Sequence, residues 1–181
     1  MRWERLFDDL EAQLVADERR DLDAEVADRT RRERALLGLH ERLAAVVDGE
    51  PLSLRVAGVG VLIGRVTGVG PDWLLVEERA DRPALVPFTA VRTVTGLRGA
   101  QQTGAVAKGF ALGSALRAIS RDRAAVEVVD VDGTSLTGTV DAVGQDAFDL
   151  AEHAVDLPRR AEHVIAVRTM PMAVLAVVRR R

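Results

Sequence analysis

Apolar and polar residues alternate along most of the chain after residue 51, which is the pattern expected of half-buried β-strands. Leu52, Leu54 and Val56 are each followed by a polar or small residue. Glycine-containing turns separate the apolar runs that follow. The pattern predicts five strands in a first set, at residues 52–56, 61–69, 73–78, 84–87 and 91–97. It predicts five more in a second set, at residues 126–131, 136–143, 147–152, 155–158 and 164–169.

Turn-forming residues refine this β-rich pattern. Gly64 is expected to mark the bend where a small barrel curls, because a glycine permits close approach of the backbone. Asp132-Gly133 predicts a two-residue hairpin loop, since both residues tolerate a positive φ. A tight corner at 88–90 is expected between the fourth and fifth strands. The last apolar run, 172–178, predicts an additional strand without a counterpart earlier in the chain.

Before residue 51 the apolar spacing becomes that of a helix. One stripe recurs at intervals of three and four residues and consists of Trp3, Phe7, Leu10 and Leu14. The spacing predicts one long helix or two collinear helices over residues 1–50, ending near Asp48-Gly49. The stripe is expected to pack on the protein's own β-domains, to pair with a second copy or to bind a different protein, and the sequence leaves these three open.

A glycine-rich stretch separates the two sets of strands and predicts a linker over residues 98–109. After it, apolar residues at helical spacing predict a short helix with one apolar side, formed by Phe110, Leu112, Leu116 and Ile119. The apolar series within residues 36–47 holds the same place before the first set. Each set of strands is therefore expected to follow a helix.

One motif occurs twice in the chain. Residues 62–72 and 136–146 share six identical positions at a constant spacing of 74, which is the spacing of Gly64 and Gly138. Residues 90–93 are repeated as residues 166–169, now 76 positions apart, which indicates an insertion of two residues between the motifs. An internal repeat of this length constrains the fold more strongly than any single residue does.

The repeat predicts a mainly β protein with some α-helix, in which a long N-terminal helix precedes two tandem five-stranded small barrels. Each barrel is preceded by a helix. The expected boundaries are a helical arm at 1–50, a first barrel at 51–97, the linker at 98–109, and a second barrel at 110–181 with its helix and the extra C-terminal strand.

Composition and charge exclude several classes of function. The net charge of −3 provides no general field that would attract a polyanion. Aromatic residues make up only 3%, which disfavours base-stacking surfaces for single-stranded nucleic acid. Because the chain has no cysteine, disulfides, thiolate metal sites and a cysteine nucleophile are excluded. Residues 1–50 contain 9 arginines and 14 acidic residues, so this segment is not expected to bind nucleic acid as a basic arm.

Targeting signals are not evident in the sequence. The charged N-terminal residues lack the apolar run of a signal peptide. The longest apolar stretch, 172–178, is too short to span a bilayer. We therefore expect a cytoplasmic protein without a membrane partner, and we interpret the terminal Arg179-Arg180-Arg181 as a solubilising tail.

The second-to-third-strand turn has the form Gly-x-Val-x-x-Val-Gly-x-Asp in both repeats and ends at Asp72 and Asp146. With a preceding helix and a bent five-strand meander, this resembles the Sm-like and SH3-like small barrels. The resemblance covers roughly residues 36–169 and implies the barrel fold. Sm proteins bind RNA with an Asp-x-hydrophobic-hydrophobic-Asn loop and an Arg-Gly pair. This chain has no asparagine, and Arg92 and Arg168 are followed by threonine, so the RNA pocket is not carried over.

The opening segment reads Met1-Arg2-Trp3-Glu4-x-Leu6-Phe7-x-Asp9-Leu10-Glu11. It resembles a group of uncharacterised actinobacterial proteins, some of which are labelled Fis-family transcriptional regulators. The label implies a helix-turn-helix with a basic second helix in the major groove. The candidate region in this chain, 29–47, carries mixed charges and shows no recognition-helix pattern.

The sequence offers no recognisable catalytic set. The three histidines are scattered and lack metal-ligand spacing; they are His40, His153 and His163. Residues 130–133 begin like a calcium loop but lack the later ligands, so a hairpin is the simpler interpretation. The recurring Asp72 and Asp146 are interpreted as turn residues that bind nearby backbone amides. The recurring Arg92 and Arg168 are the best candidates for ligand contact, with surface ion pairs as the alternative.

Two hypotheses about function follow. The first is a non-catalytic scaffold or adaptor without a cofactor, which self-associates or binds a protein through the apolar stripe of its N-terminal helix. The second is a nucleic-acid-associated regulator of transcription that uses the helical arm or Sm-like surfaces. An enzyme is not expected.

Overall fold

The computed structural model of the 181-residue chain describes residues 19–20, 22, 24–29, 31–32, 37–79, 82–97 and 108–180. The chain divides into two compact units, Met1–Gly38 and Leu39–Arg181. All described residues of the first unit up to residue 32 are helical. The apolar stripe of Trp3, Phe7, Leu10 and Leu14 lies outside the described residues, so its role stays a prediction.

One long helix or two collinear helices were expected over residues 1–50, and the described residues exclude a single uninterrupted helix. Residues 37–38 are not helical, and a separate helix, α1 (Leu39–Ala44), follows them. The break coincides with Gly38, whose backbone freedom makes it a poor helix former. The helix ends at Ala44, earlier than the expected stop at Asp48-Gly49; turns follow it, and Asp48 adopts a left-handed backbone with a φ of 58°.

The expected mainly β class is confirmed. Besides α1, the second unit contains the helix α2 (Leu112–Asp122). Its strands are β1 (Leu52–Val56), β2 (Gly60–Val69), β3 (Trp73–Arg79), β4 (Arg82–Pro87), β5 (Val91–Thr95), β6 (Val126–Asp130), β7 (Ser135–Val143), β8 (Ala147–Glu152), β9 (Ala166–Pro171) and β10 (Leu175–Arg180). Single 3₁₀ turns at Phe88–Ala90 and Met172–Val174 precede β5 and β10, as the corner predicted at 88–90 requires.

The described strands form one continuous antiparallel sheet, in the order β5-β1-β2-β3-β4-β10-β6-β7-β8-β9. We call β1–β5 the first half and β6–β10 the second half. Within each half the pairing is the same, since β10-β6-β7-β8-β9 repeats β5-β1-β2-β3-β4 strand for strand. The two halves are not separate sheets, because β4 pairs with β10.

Matched positions in the two halves make the same backbone hydrogen bonds. From β1 to β3 the spacing between them is 74, which was predicted for residues 62–72 and 136–146 and extends to β1, where Leu52↔Gly64 corresponds to Val126↔Gly138. The recurring turn and corner bonds are Gly70 N to Trp73 O and Gly144 N to Ala147 O (both 2.8 Å), Phe88 N to Asp72 O and Met172 N to Asp146 O (2.9 and 2.7 Å), and Ala57 N to Ala90 O and Val131 N to Val174 O (both 2.9 Å).

The C-terminal strand has a counterpart in the first half, contrary to the prediction. β10 pairs with β6 as β5 pairs with β1, and Arg179↔Glu127 corresponds to Thr95↔Ser53. From β4 onward the matched positions are 84 apart, so residues 90–93 match residues 174–177 and not 166–169. The short sequence Ala-Val-Arg-Thr occurs at both 90–93 and 166–169, but these two segments are not equivalent in the fold.

The change in spacing from 74 to 84 lies in the connection between β8 and β9. This connection, residues 153–165, takes the place of the two residues that separate β3 from β4. It contains turns and a short 3₁₀ segment, Ala161–His163, so the strand predicted at 155–158 is wrong. Val155 and Leu157 are exposed there, since they lie on the surface of an irregular loop.

Two apolar cores lie on opposite faces of the sheet where β4 meets β10. The first contains Leu54, Val66 and Val76 of the first half, and the second contains Leu116 and Phe148 of the second half. Each core also receives side chains from the other half. Trp73 and Leu85 are buried in the second core, whereas Val129, Ala176 and Val177 are buried in the first. Because the side chains of a strand alternate between faces, one pair of strands supplies both cores.

Two matched glycines allow the second and third strands of each half to come close together. A Cβ built on Gly64 would lie 2.5 Å from the Glu77 carbonyl oxygen, and one built on Gly138 would lie 2.0 Å from the Ala151 carbonyl oxygen. A methyl group fits at neither position. A close backbone approach thus occurs at Gly64 and recurs at Gly138 in the second half, whereas the barrel bend expected at Gly64 stays a prediction.

Replacing either glycine should therefore destabilise the fold. We expect Gly64→Ala and Gly138→Ala each to lower the free energy of unfolding by about 1–3 kcal/mol, because the strands must separate to admit the methyl group. Gly109→Ala is the control, since a Cβ there meets nothing within 4 Å; a surface change of this kind should stay within about 0.5 kcal/mol. Urea unfolding monitored by circular dichroism measures the difference. Equal midpoints for all three variants would contradict the prediction.

Candidate interaction surfaces

The junction between the halves consists of β4 and β10, and a partly buried ion-pair network adds to it. Leu85 lies opposite Val178, and Ala84 lies opposite Arg179. Arg179 donates from Nη2 and Nε to Glu78 Oε1, at 2.9 and 3.2 Å. Its Nη1 lies 3.9 Å from Glu127 Oε2. One guanidinium therefore joins a carboxylate of β3 to a carboxylate of β6, across the boundary between the halves.

The start of α2 is also held by the first half. Asp72 Oδ1 accepts a hydrogen bond from the Leu112 backbone N–H at 2.8 Å. A carboxylate at this position satisfies one of the unpaired amides in the first turn of the helix. Trp73 Nε1 donates to the Phe110 carbonyl at 2.9 Å, and Lys108 Nζ lies 5.8 Å from the Trp73 ring centroid. Asp72 is thus a turn residue that binds a backbone amide, as expected, although that amide belongs to a helix 40 residues later.

An open cavity of about 270 Å³ lies between α2 and the junction strands. Its lining is mostly aliphatic and comprises Leu75, Pro83, Leu85, Ala118, Ile119, Asp122, Ala124, Val126, Val178 and Arg180. Asp122 and Arg180 form an exposed ion pair in this lining, with 3.7 Å between Oδ2 and Nη2. The cavity has room to bury an apolar group, and the ion pair of Asp122 and Arg180 lies in its lining.

The connection 153–165 is fastened to the second half by buried and charged contacts. His153 is buried, its Nδ1 donates to the Ala154 carbonyl, and its Nε2 lies 2.8 Å from Thr139 Oγ1. Arg159 binds both carboxylate oxygens of Asp141, with 2.7 Å from Nε to Oδ1. Arg123 Nη1 approaches the same Oδ1 at 3.2 Å. The hydrogen bond from Arg159 is the main cause that holds the pKa of Asp141 below its usual 3.8, and burial opposes it.

Exposed apolar side chains occur on the outer surface of both halves. Val61 and Ile63 lie two residues apart on β2 and are 63% and 62% exposed. Ile165 lies just before β9 and is 74% exposed, and Val167 lies on β9 and is 58% exposed. Residues two apart on a strand share a face, so Val61 and Ile63 form a small apolar surface.

The recurring arginines do not lie at matched positions. Arg92 is on β5 and Arg168 is on β9, the two terminal strands of the sheet. Arg168 Nε donates to Glu152 Oε2 at 2.9 Å, so it forms the surface ion pair that was the alternative interpretation. Arg92 is exposed, and its Nη1 lies 3.5 Å from the Thr89 carbonyl. Ligand contact by either residue stays a prediction.

The structure shows the contacts of His40 and His163 and those of the acidic turn at residues 130–134. His40 packs edge-on against Phe88, with 6.3 Å between ring centroids, and His163 Nδ1 lies 2.9 Å from the Pro158 carbonyl. Asp130 Oδ1 accepts hydrogen bonds from the backbone N–H groups of Asp132 and Thr134, and the bond from Thr134 is the main cause that lowers its pKa. Within the described ranges, no three His, Asp or Glu side chains are grouped to hold a metal ion.

The loop at residues 131–134 is a hairpin turn, but a longer one than expected. Only Gly133 has a positive φ there, of 92°. Four residues separate β6 from β7, whereas two were predicted. The carboxylate of Asp130 satisfies the amides of this longer turn, which explains why the loop closes without a second residue of positive φ.

The sequence interpretation missed the most connected side chain of the junction. Arg179 was assigned to a solubilising tail because three arginines follow one another. The available signal was its place in the period of β10, since Val177 and Arg179 point to the same face. The partners of Asp141 could not be found from the sequence, because Arg123 and Arg159 are each 18 positions away on irregular segments.

Comparisons with protein-family models, with curated proteins and with solved structures gave no match. No helix in the described part of the chain is both long and apolar enough to cross a membrane.

Removal of the junction arginine should cost more than removal of its neighbour. We expect Arg179→Met to lower the free energy of unfolding by about 1–3 kcal/mol, because Glu78 and Glu127 are left close together without their shared cation. Arg180→Met is the matched control; its ion pair with Asp122 is exposed and contributes about 0–1 kcal/mol. Chemical unfolding of both variants makes the comparison, and equal losses would contradict a special role for Arg179.

The pairing of Asp141 with Arg159 should make part of the stability depend on pH. The pKa of Asp141 is lower in the folded state than its usual 3.8. The stabilisation is therefore complete above about pH 4 and is lost as the pH falls through the folded pKa. Asp141→Asn should cost about 1–2 kcal/mol at pH 7, and the difference from the wild type should shrink as the pH falls below about 4. A difference that stays constant over this range would contradict the prediction.

Proposed function

We propose that the protein is a non-catalytic scaffold or adaptor, built from two fused small barrels of the Sm-like or SH3-like kind. Its helical N-terminal segment associates with a second copy or with another protein. The barrel assignment rests on the repeated strand order and on the matched glycines Gly64 and Gly138, which let each five-stranded set bend.

The pairing of β4 with β10 is the observation that carries the proposal. It makes the two barrels one body, because each core contains side chains of the other half. Domains joined by a flexible linker would move independently. Two barrels that share a sheet instead hold their outer surfaces in a fixed relation, which suits a scaffold.

The outer surface of the first half supports a role in protein binding. Val61 and Ile63 are exposed on β2. The matched positions of the second half are the polar Ser135 and Thr137, so the fold does not require apolar side chains here. Apolar side chains grouped on an outer face are typical of protein interaction sites.

The N-terminal stripe provides the self-association. Its four members would lie on one side of a helix, because the spacings of four, three and four residues each return close to the same direction at 3.6 residues per turn. The apolar stripe of a second amphipathic helix is wide enough to bury a stripe of this kind.

The proposal is tested by changing the stripe in the full chain. Phe7→Ser combined with Leu10→Ser should raise the dissociation constant of self-association at least about tenfold, since two apolar anchors are lost. Ala12→Ser with Ala16→Ser is the control, because these residues lie on roughly the opposite side of the helix. Sedimentation at several concentrations measures the constant, and deletion of residues 1–34 should match the stripe variant.

The outcomes separate the two hypotheses about function. One monomeric species for the wild type and all variants, with no protein captured from the native cytoplasm, would refute the scaffold proposal. Binding of RNA or duplex DNA that weakens steeply as salt rises would instead support the nucleic-acid-associated regulator.

A further inference from the structure

The sheet ends in two strands that have paired counterparts at the junction. β9 is the counterpart of β4, and β5 is the counterpart of β10. β4 and β10 pair with each other, whereas β9 and β5 each have one described neighbour in the sheet. The edges of β9 and β5 therefore have the same backbone geometry as the edges of β4 and β10, which pair with each other.

The side chains of the β9 edge differ from those of its counterpart. On the junction face of the first half, Leu75 lies opposite Leu85, and both pack on the second core. The matched pair in the second half is Asp149 opposite Thr169. Thr169 Oγ1 donates to Asp149 Oδ1 at 2.6 Å, so these polar groups satisfy each other on the surface. An apolar contact pair is thus replaced by a hydrogen-bonded polar pair.

The β5 edge differs in the same direction. On the junction face of the second half, Val129 lies opposite Val177, and both are buried in the first core. The matched pair in the first half is Arg55 opposite Thr93, and both residues are exposed. A valine pair is thus replaced by a charged residue and a hydroxyl.

The ion pair of the junction also has a different form at the β9 edge. Glu78 at the junction is bound by Arg179, which comes from the pairing strand β10. The matched carboxylate, Glu152, is bound by Arg168 of β9 itself. At the junction, the position equivalent to Arg168 is occupied by Ala84, which is small and buried. Glu152 is therefore neutralised without a strand from a second copy.

We propose that β9 of one copy and β5 of a second copy are complementary surfaces, and that the polar pairs Asp149–Thr169 and Arg55–Thr93 keep them from pairing. Edge strands carry free backbone groups, and charged or polar side chains on such edges oppose the addition of another chain. A repeated unit that pairs end to end would otherwise assemble into a ring or a filament. The four residues restrict the chain to one junction, between its own halves.

The inference is tested by restoring the junction residues at each edge separately. One full-length variant carries Asp149→Leu and Thr169→Leu, and the other carries Arg55→Val and Thr93→Val. In each variant only one edge becomes apolar, and the other edge of the same chain stays polar. Neither variant alone should therefore associate more strongly than the wild type. A mixture of the two should bind at least about tenfold more tightly than wild-type chains bind one another. Fluorescence-detected sedimentation of one labelled variant against the other measures the difference.

The register of the junction predicts where the two copies touch. Ala84 lies opposite Arg179, so Arg168 of one copy should lie opposite Thr95 of the next. Because the chain has no cysteine, Arg168→Cys in the first variant and Thr95→Cys in the second should form an intermolecular disulfide. Val94→Cys in place of Thr95→Cys is the control, since adjacent residues of a strand point to opposite faces.

Each outcome decides the inference. Stronger association of the mixture together with the disulfide only at Thr95→Cys supports it. No gain in the mixture, a gain with equal cross-linking at Val94→Cys, or wild-type chains that already pair through these edges would overturn it. Circular dichroism and urea unfolding verify that the variants fold; the milder replacements Asp149→Ala and Thr169→Val serve where the leucines prevent folding. Association through the N-terminal stripe is common to all samples, so it does not affect the comparison.

Discussion

The hydrogen bonding of β4 (Arg82–Pro87) to β10 (Leu175–Arg180) is the constraint on which the rest of the structure depends. Two five-stranded sets that ended at these strands would each expose an apolar face. Their pairing buries Leu85 in one core and Val177 in the other, because neighbouring side chains of a strand point to opposite faces. The same strand pair brings Arg179 to Glu78 and Glu127. Backbone pairing, apolar burial and charge are thereby satisfied in one place.

The two halves share a backbone plan and differ in what they expose. Matched turns make the same hydrogen bonds, and matched glycines permit the same close approach of strands. Beside the free edges, Asp149 stands where the junction has Leu75, and Arg55 stands where it has Val129, so these matched positions are polar instead of apolar. The connection 153–165 adds an ion pair to the second half, since its Arg159 binds Asp141, which Arg123 also approaches. The strand pairing is the same in both halves, and their side chains differ in which surfaces meet.

The sequence predicted the strands because alternation of apolar and polar residues reflects burial of one face, which is a local property. The prediction of which strands match each other was wrong where the same short sequence occurs in two strands that are not equivalent. The tetrapeptide Ala-Val-Arg-Thr occurs at 90–93 and at 166–169, but one copy enters β5 and the other begins β9. The true match of β5 is β10, which shares almost no residues with it. Matched strands need only fit their own neighbours, so equivalence in the fold does not require similar side chains.

By itself the sequence determined the mainly β class, the bounds of most strands and the turn at Gly133, because each follows from the period or backbone freedom of a few adjacent residues. Only the tertiary structure decided that the halves share one sheet, that Arg179 is a junction residue, and that Arg92 and Arg168 lie on opposite terminal strands. These facts depend on pairing between residues up to about a hundred positions apart. A local pattern encodes that a strand has an apolar face, but it does not encode which strand covers it.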